Sequence, residues 1–340
     1  MTSADLTNPI FSDEAAARRH FEKLRWPGGE PICFHCGVVG EASAVARDEA
    51  NVESRKKAGK KVAREGLYYC KACGKTFTAT MGTIYEDSHI PLNKWMLATH
   101  LMNAGKRGVS AAELQRLLGF GSYRTAWFMA HRIREGMAAA GALPPLGGGG
   151  SIVEADETYY GRSNAGGPSD PAPRARRKHK DTRPKRAVVA LVERGGKARV
   201  FHVDSADKER VAEIVRKNVA PDSRLHTDES RLYVGSDAHT LTHETVHHSS
   251  GEYARGDVHT NSAEGFFGQF KRGMKGVYGH CDEKYLHRYL TEFEFRHNHR
   301  VKLGFTDKER AALAVKGVVG KRLMLRQPKG QQTKAPAAID

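Results

Sequence analysis

Two C-x-x-C pairs, two amphipathic helical stretches joined through glycine, and short apolar strands interleaved with helices predict a multidomain chain. In order, it should hold a four-cysteine zinc ribbon, a helical region containing a helix-turn-helix, and an α/β domain on a mixed sheet. The expected divisions are 1–80 for an amino-terminal helix and ribbon, 81–142 for the helix-turn-helix region, and 143–150 for a linker. An α/β domain over 151–305 and a partly disordered extension over 306–340 complete the chain.

The ribbon rests on Cys33-Phe-His-Cys36 and Cys70-Lys-Ala-Cys73, which use four of the five cysteines. Each pair clamps one side of a tetrahedral ion, and two such knuckles bind one structural Zn²⁺. A redox dithiol is the rival, but one pair would suffice for that and no thioredoxin-like βαβ pattern surrounds either. Ahead of the first knuckle, Ser12-Asp13-Glu14 starts an Ala-rich amphipathic helix to about Leu24, which Trp26-Pro27 ends. Between the knuckles, residues 41–65 form a charged insertion without recognisable chemistry. Cys281 stands alone, as a small buried apolar residue.

Helical periodicity runs over residues 91–137. Ser110-Ala-Ala-Glu113 has the form of a capping box, and Leu114, Leu117 and Leu118 give that helix its apolar face. Gly119-Phe-Gly121-Ser122 then breaks the pattern before a second helix with Ala126, Trp127, Ala130, Ile133 and Met137. Arg124, Thr125, His131 and Arg132 are the residues this second helix could offer to DNA; an ordinary helical hairpin is the plainer reading. Leu143-Pro-Pro-Leu146 and four glycines then read as a linker.

Beyond it, strands are expected over 151–160, 187–192, 198–203, 224–228 and 244–248, with helices over 207–219, 262–278 and 283–297. Residues 162–186 lack apolar periodicity and are rich in Gly, Pro, Arg and Lys, Arg176 and Arg177 among them. They suit a mobile loop that meets phosphate, against the alternative of a solvated charge run.

Composition narrows the function. In 340 residues, Lys and Arg number 55 against 39 Asp and Glu, a formal charge of +16 that favours a polyanion, nucleic acid first. No apolar run reaches the roughly 20 residues of a bilayer span, and the amino terminus lacks the pattern of a secretory signal. Reduced, metal-bound cysteines suit the cytoplasm, and DNA binding suits the nucleoid.

Within the α/β domain, Asp156 lies in the first strand, Asp228 closes the fourth, and Glu264 starts a helix. Neighbouring strands can bring the aspartates together, and the helix can lay Glu264 across from them. Hard carboxylate oxygens suit Mg²⁺ or Mn²⁺, and two ions about 4 Å apart serve in-line phosphoryl transfer. On a helical wheel, Glu264, Gly268, Lys271 and Lys275 share a stripe away from Phe266, Phe270, Met274 and Val277. Glu264 and Lys271 should therefore stay accessible, with Lys271 and Lys275 available for DNA phosphates. Glu157 and Glu229 sit beside the aspartates, and periodicity alone does not exclude them. His239, His243, His247 and His248 also cluster, but Thr240, Thr242 and Thr245 argue against the helix that i, i+4 ligands would need.

Nine stretches carry a family resemblance: Arg25-Trp-Pro27, the two knuckles, Thr125-Ala-Trp-Phe-Met-Ala-His-Arg-Ile-Arg134, Glu154-Ala-Asp-Glu-Thr-Tyr-Tyr-Gly161 and His226-Thr-Asp228 are the first six. His259-Thr-Asn-Ser-Ala-Glu-Gly-Phe-Phe267 and Lys271-Arg-Gly-Met-Lys-Gly-Val-Tyr278 follow, and Tyr289-Leu-Thr-Glu-Phe-Glu-Phe-Arg-His-Asn298 adds a further, most specific match. The chain resembles an insertion-sequence DDE transposase of the ISXO-like kind, which joins a zinc ribbon to an RNase H-like, retroviral-integrase-like domain. The resemblance implies Asp156, Asp228 and Glu264 as the triad, with Lys271 seven positions beyond the glutamate. Some members use asparagine as third ligand, so Asn261 is the second candidate. Implied partners are double-stranded DNA, at element ends and target, and a second copy of the chain in synapsis. A non-catalytic DNA-binding regulator and a nuclease on the same fold are the alternatives.

Overall fold

In the computed structural model, residues 6–46, 57, 64–161 and 186–324 are described. The expected basic contacts Arg176 and Arg177 and the tail beyond residue 324 lie outside them. The chain divides into two compact units. One takes residues 100–110 and 137–311; the other takes 2–99, 111–136 and 312–340.

In the second of these units, helix α1 (Glu14–Arg25) is capped by Asp13, whose carboxylate accepts the Ala15 N–H at 2.7 Å. Strands β1 (Ala42–Ala44), β2 (Leu67–Cys70) and β3 (Thr76–Thr78) form an antiparallel sheet. The start of the expected insertion is therefore ordered, because β1 supplies backbone partners to the strand that ends on Cys70. Trp26, Tyr68 and Phe77 pack edge-on and stacked over this sheet. Helices α2 (Leu92–Ala104), whose residues from His100 on belong to the other unit, α3 (Ala111–Leu118) and α4 (Tyr123–Met137) follow the predicted spacing.

The other unit contains the candidate acids Asp156, Asp228 and Glu264. Among the described residues its sheet has five strands, β4 (Ile152–Tyr160), β5 (Arg186–Glu193), β6 (Ala198–Val203), β7 (Arg224–Asp228) and β8 (Thr242–Val246), in the spatial order β6-β5-β4-β7-β8. β4 pairs antiparallel with β5 but parallel with β7, which pairs parallel with β8. β5 is buried almost end to end, as a central strand covered on both faces should be.

Helix α5 (Lys208–Asn218) covers one face through Val211, Ile214 and Val215, packed on Val153, Ala155, Val189 and Leu191. The other face is covered by α6 (Asn261–Gly273) and α7 (Glu283–Asn298), with Phe266, Phe270, Leu286 and Leu290 against Val188, Ala190 and Val192. Helix α8 (Asp307–Lys316) falls where the sequence suggested only an extension.

Two expectations are corrected here. Residues 146–150 are anchored rather than free: Leu146 is buried in the core, Leu146 N–H donates to Asn218 O, and Gly148 N–H donates to Ser223 Oγ. Gly147 is required there, since at φ +81 an added Cβ would stand 2.3 Å from Ser223 Oγ. Arg186, expected in the basic loop, is buried; it opens β5 opposite Tyr160 and donates to the Cys281 carbonyl at 2.5 Å.

Candidate active site and zinc centre

The two knuckles repeat one backbone design. Gly37 N–H donates to Cys33 O and Gly74 N–H to Cys70 O, both at 2.9 Å, with the glycines at φ +74 and +69. Cys33 N–H donates to Val38 O and Cys70 N–H to Lys75 O, both at 3.0 Å. Glycine after each pair thus closes a turn that a side chain would strain. Cys33 Sγ lies 3.7 Å from Cys73 Sγ, and Cys36 Sγ lies 3.7 Å from Cys70 Sγ. A tetrahedron with Zn–S bonds of about 2.3 Å has edges of about 3.8 Å, so these thiols fit Zn²⁺, while a disulfide would need about 2.05 Å.

In the unit that holds the candidate acids, the parallel register aligns Val153 with Leu225 and Glu154 with His226. Continued two residues onward, it sets Asp156 beside Asp228. Carboxylate oxygens of Asp156, Glu157 and Asp228 lie within 4.8 Å of one another. The sequence reading thus has its two aspartates together, while the adjacent Glu157 completes the tight group. Burial first, then the charges of Glu157, Asp228 and Glu264, push the Asp156 carboxyl up to about 7. Such mutual repulsion, with hard oxygen donors only, fits a divalent cation.

Glu157 is itself restrained. Its oxygens accept from Tyr233 Oη at 2.9 Å and Ser230 Oγ at 3.1 Å. Burial foremost, then the Asp228 charge, raises its pKa. Glu264 stands at the rim, with its side chain 47% exposed and Oε1 3.8 Å from His248 Nε2. Thr260 Oγ1 donates to that oxygen at 3.2 Å. Asn261, the other candidate, is exposed at the first residue of α6. Lys271 and Lys275 are exposed, and Phe266, Phe270 and Met274 are buried, as the helical wheel requires.

Sequence reasoning missed Glu154. It is fully buried, two positions before Asp156 on the same sheet face, and accepts from Ser262 N at 2.6 Å, Ser262 Oγ at 3.0 Å and Ala263 N at 3.1 Å. Arg194 pairs with it at 2.8 Å. The strand carrying Asp156 therefore grips the first turn of the helix carrying Glu264. The available signal was a glutamate at a strand position whose neighbours on either side, Val153 and Ala155, are core residues.

Glu229 turns away from the acids; its carboxylate accepts from His248 N at 2.5 Å and Ser249 N at 2.9 Å, contacts that lower its pKa. His243 lies in β8 and shares a 2.9 Å hydrogen bond with Thr227 Oγ1. On α4, Arg124 is exposed, but Arg132 is not available to DNA. It is 8% exposed, donates to Glu86 O at 2.7 Å and lies 5.2 Å from the Trp95 ring centre. His131 is likewise buried. No helix among the described residues is long and apolar enough to cross a membrane. A hollow of about 1060 Å³ lies in the other unit, among residues such as Arg18, Thr78 and Trp95, and no candidate acid lines it.

Comparison with known proteins agrees with this architecture. Residues 145–298 match the ISXO2-like transposase domain, and residues 12–76 match the transposase zinc-ribbon domain. A relative described as an uncharacterized protein in transposable element ISH50 of Halobacterium salinarum is 29% identical over 293 residues, covering 84% of this chain and 91% of the relative. Ribbon and acid-bearing sheet follow one another in this chain as a transposase zinc-ribbon domain and an ISXO2-like transposase domain, the two domains it is similar to.

Proposed function

We propose that this chain binds the terminal inverted repeats of its own insertion sequence and catalyses metal-dependent DNA cleavage and strand transfer. The observation that carries the reading is the parallel register of β4 and β7, which sets Asp156 beside Asp228. The helix bearing Glu264 is tied to β4 through Glu154.

In this reading Asp156, Asp228 and Glu264 hold two Mg²⁺ or Mn²⁺ ions, with Asn261 as the second candidate for the third position. Divalent ions would supply activation of the attacking oxygen and stabilisation of the leaving one. The residues orient the phosphodiester. Lys271 and Lys275 take its neighbouring phosphates, and the grip of Glu154 keeps Glu264 in register with Asp156. Water first attacks phosphorus and the bond to the 3′-oxygen breaks, leaving a 3′-OH. That hydroxyl then attacks a target phosphodiester and displaces its 3′-oxygen. No covalent bond between protein and DNA is needed.

The ribbon, with its single Zn²⁺, and the α3–α4 pair recognise the ends, Arg124 contributing from α4. Arg176 and Arg177 add phosphate contacts from the basic segment. Joining two ends calls for at least a dimer, working on chromosomal DNA in the nucleoid. Labelled element ends incubated with the protein and Mg²⁺ should yield joined product. Glu264→Gln should abolish joining while end binding persists. Joining that survives Glu264→Gln moves the third role to Asn261, and end binding without cleavage in wild type refutes the transferase reading.

A further inference from the structure

We propose that the catalytic unit has a second DNA-contact surface. It is a basic cleft between residues 105–108 and the carboxy-terminal half of α6, and it takes phosphodiesters of duplex DNA beside the scissile bond. The inference deepens the transposase reading above and rests on it for the identity of that bond.

The cleft is built from two adjoining hollows. One, about 440 Å³, has Lys106, Arg296, Arg300, Lys302 and Arg310 in its lining, and its carboxylate, Asp307, pairs with Arg310 at 2.8 Å. The other, about 350 Å³, is lined by Lys106, Arg107, Gln269 and Arg272, with no acid. Lys106, Arg107, Gln269, Arg272 and Lys302 are exposed. Such an excess of cations around a concave surface concentrates positive potential and attracts a polyanion. Lys and Arg with a side-chain amide are also the groups that position a nucleic-acid backbone without reading its sequence.

The surface is held in place. Arg296, 6% exposed, pairs with Glu292 and donates to Met102 O at 3.3 Å, and Tyr278 Oη donates to the same Glu292 at 2.5 Å. Arg310 donates to Asn103 O at 2.5 Å. Both arginines therefore secure the carbonyl end of α2 just before Lys106. Gly108, at φ +85, lets the loop close on this network, since a Cβ there would meet Tyr278 Oη at 1.8 Å. Gly273 does the same from the helix side, where a Cβ would stand 3.1 Å from Arg107 O. A basic loop this firmly seated presents its charges with little ordering cost on binding.

The position follows from helix geometry. Glu264 and Arg272 are eight residues apart on one helix, which at about 1.5 Å per residue is about 12 Å along the axis. DNA laid along the helix advances about 3.4 Å per nucleotide of each strand, so the cleft meets phosphates roughly three to four positions from the scissile one. Lys271 and Lys275 face the side of Glu264, while Gln269 and Arg272 face the loop, so one helix serves two stretches of backbone.

The test compares full-length wild type with a Lys106→Ala/Arg107→Ala/Arg272→Ala variant and a charge-matched Lys208→Ala/Arg216→Ala/Lys284→Ala control. Binding is measured without divalent metal over a range of salt, on a duplex carrying the element end and on one of unrelated sequence. The cleft variant should show a plot of log affinity against log salt shallower by about 2 to 3, the loss of up to three phosphate contacts, while the control stays near wild type. A change on the element-end duplex alone assigns the cleft to the end; a change on both assigns it to any duplex backbone. A cleft variant with the wild-type slope, or a control that falls equally, overturns the proposal. Binding is read without strand transfer, so a protein that binds in this way yet joins nothing would sink the transposase reading and leave the cleft standing.

Discussion

The carboxylate of Glu154 accepts the backbone N–H of Ser262 at 2.6 Å, and through this bond a sheet residue caps a helix more than a hundred positions away in sequence. Glu154→Ala leaves the Ser262 and Ala263 amides and Arg194 without their buried acceptor. A loss of about 3 to 5 kcal/mol is expected in chemical denaturation. Glu154→Gln keeps one acceptor and should lose less. Its joining activity should still fall further than its stability implies, because Glu264 loses its register with Asp156. Wild-type joining by Glu154→Gln at a temperature where it is folded would refute that positioning role.

Asp156, Glu157 and Asp228 should separate by mutation. Asp156→Asn and Asp228→Asn should each lower joining on the order of a hundredfold to a thousandfold with end binding retained, as expected for groups acting on the transition state. Glu157→Gln should be milder, because Tyr233 and Ser230 already occupy its oxygens. Single-turnover joining assays on all three would rank them, and a Glu157→Gln defect equal to that of Asp156→Asn would place Glu157 among the ligands.

Elemental analysis should find about one zinc per chain. Cys36→Ser or chelation should remove it, and the unit holding the ribbon should then lose its structure and its end binding. Full end binding by metal-free protein would exclude a structural ion.

Arg132 and Arg124 should behave oppositely. Arg132→Ala removes a buried guanidinium between Trp95 and Glu86 and should cost about 2 to 3 kcal/mol of stability. Arg124→Ala should leave the melting temperature nearly unchanged and make the salt dependence of end binding shallower by about 1. Thermal melts and salt titrations together decide this.

Glu294 carries a pH signature. Burial pushes its pKa up to about 7, against lowering by the Val200 N–H and Arg199. Its folded value lies above the unfolded one, so the folded state holds the proton longer. Stability should fall as pH rises from about 4.5 to 7 and level off above that window. Glu294→Gln keeps an acceptor for Val200 and should be more stable at pH 8 by about 1 kcal/mol or more. An unchanged melting profile between pH 5 and 8 in both proteins would refute it.

Much of the fold was legible because its signals are local. The Cys pairs with their following glycines, the alternation in β4 and the apolar stripe of α6 each lie within a few residues. What escaped depends on partners distant in sequence. Glu154 reads as an ordinary acid until the sheet is assembled around it, and Glu157 stays an undecided neighbour of Asp156 until the Tyr233 turn closes on it. Arg132 belongs by charge to a DNA face, and only the packing of Trp95 against α4 reveals it as buried. The glycines of residues 147–150 look like a spacer, yet Gly147 is there because Ser223 leaves no room for a side chain.

Among the described residues, the ladder between β4 and β5 ends on the pairing of Tyr160 with Arg186. Lengthening the connection between these two residues costs only about 0.6 kcal/mol for each doubling. Evolution can therefore rewrite this basic stretch in length and charge while the neighbouring acids keep their register. New DNA contacts could be gained there, one insertion at a time, without disturbing the chemistry.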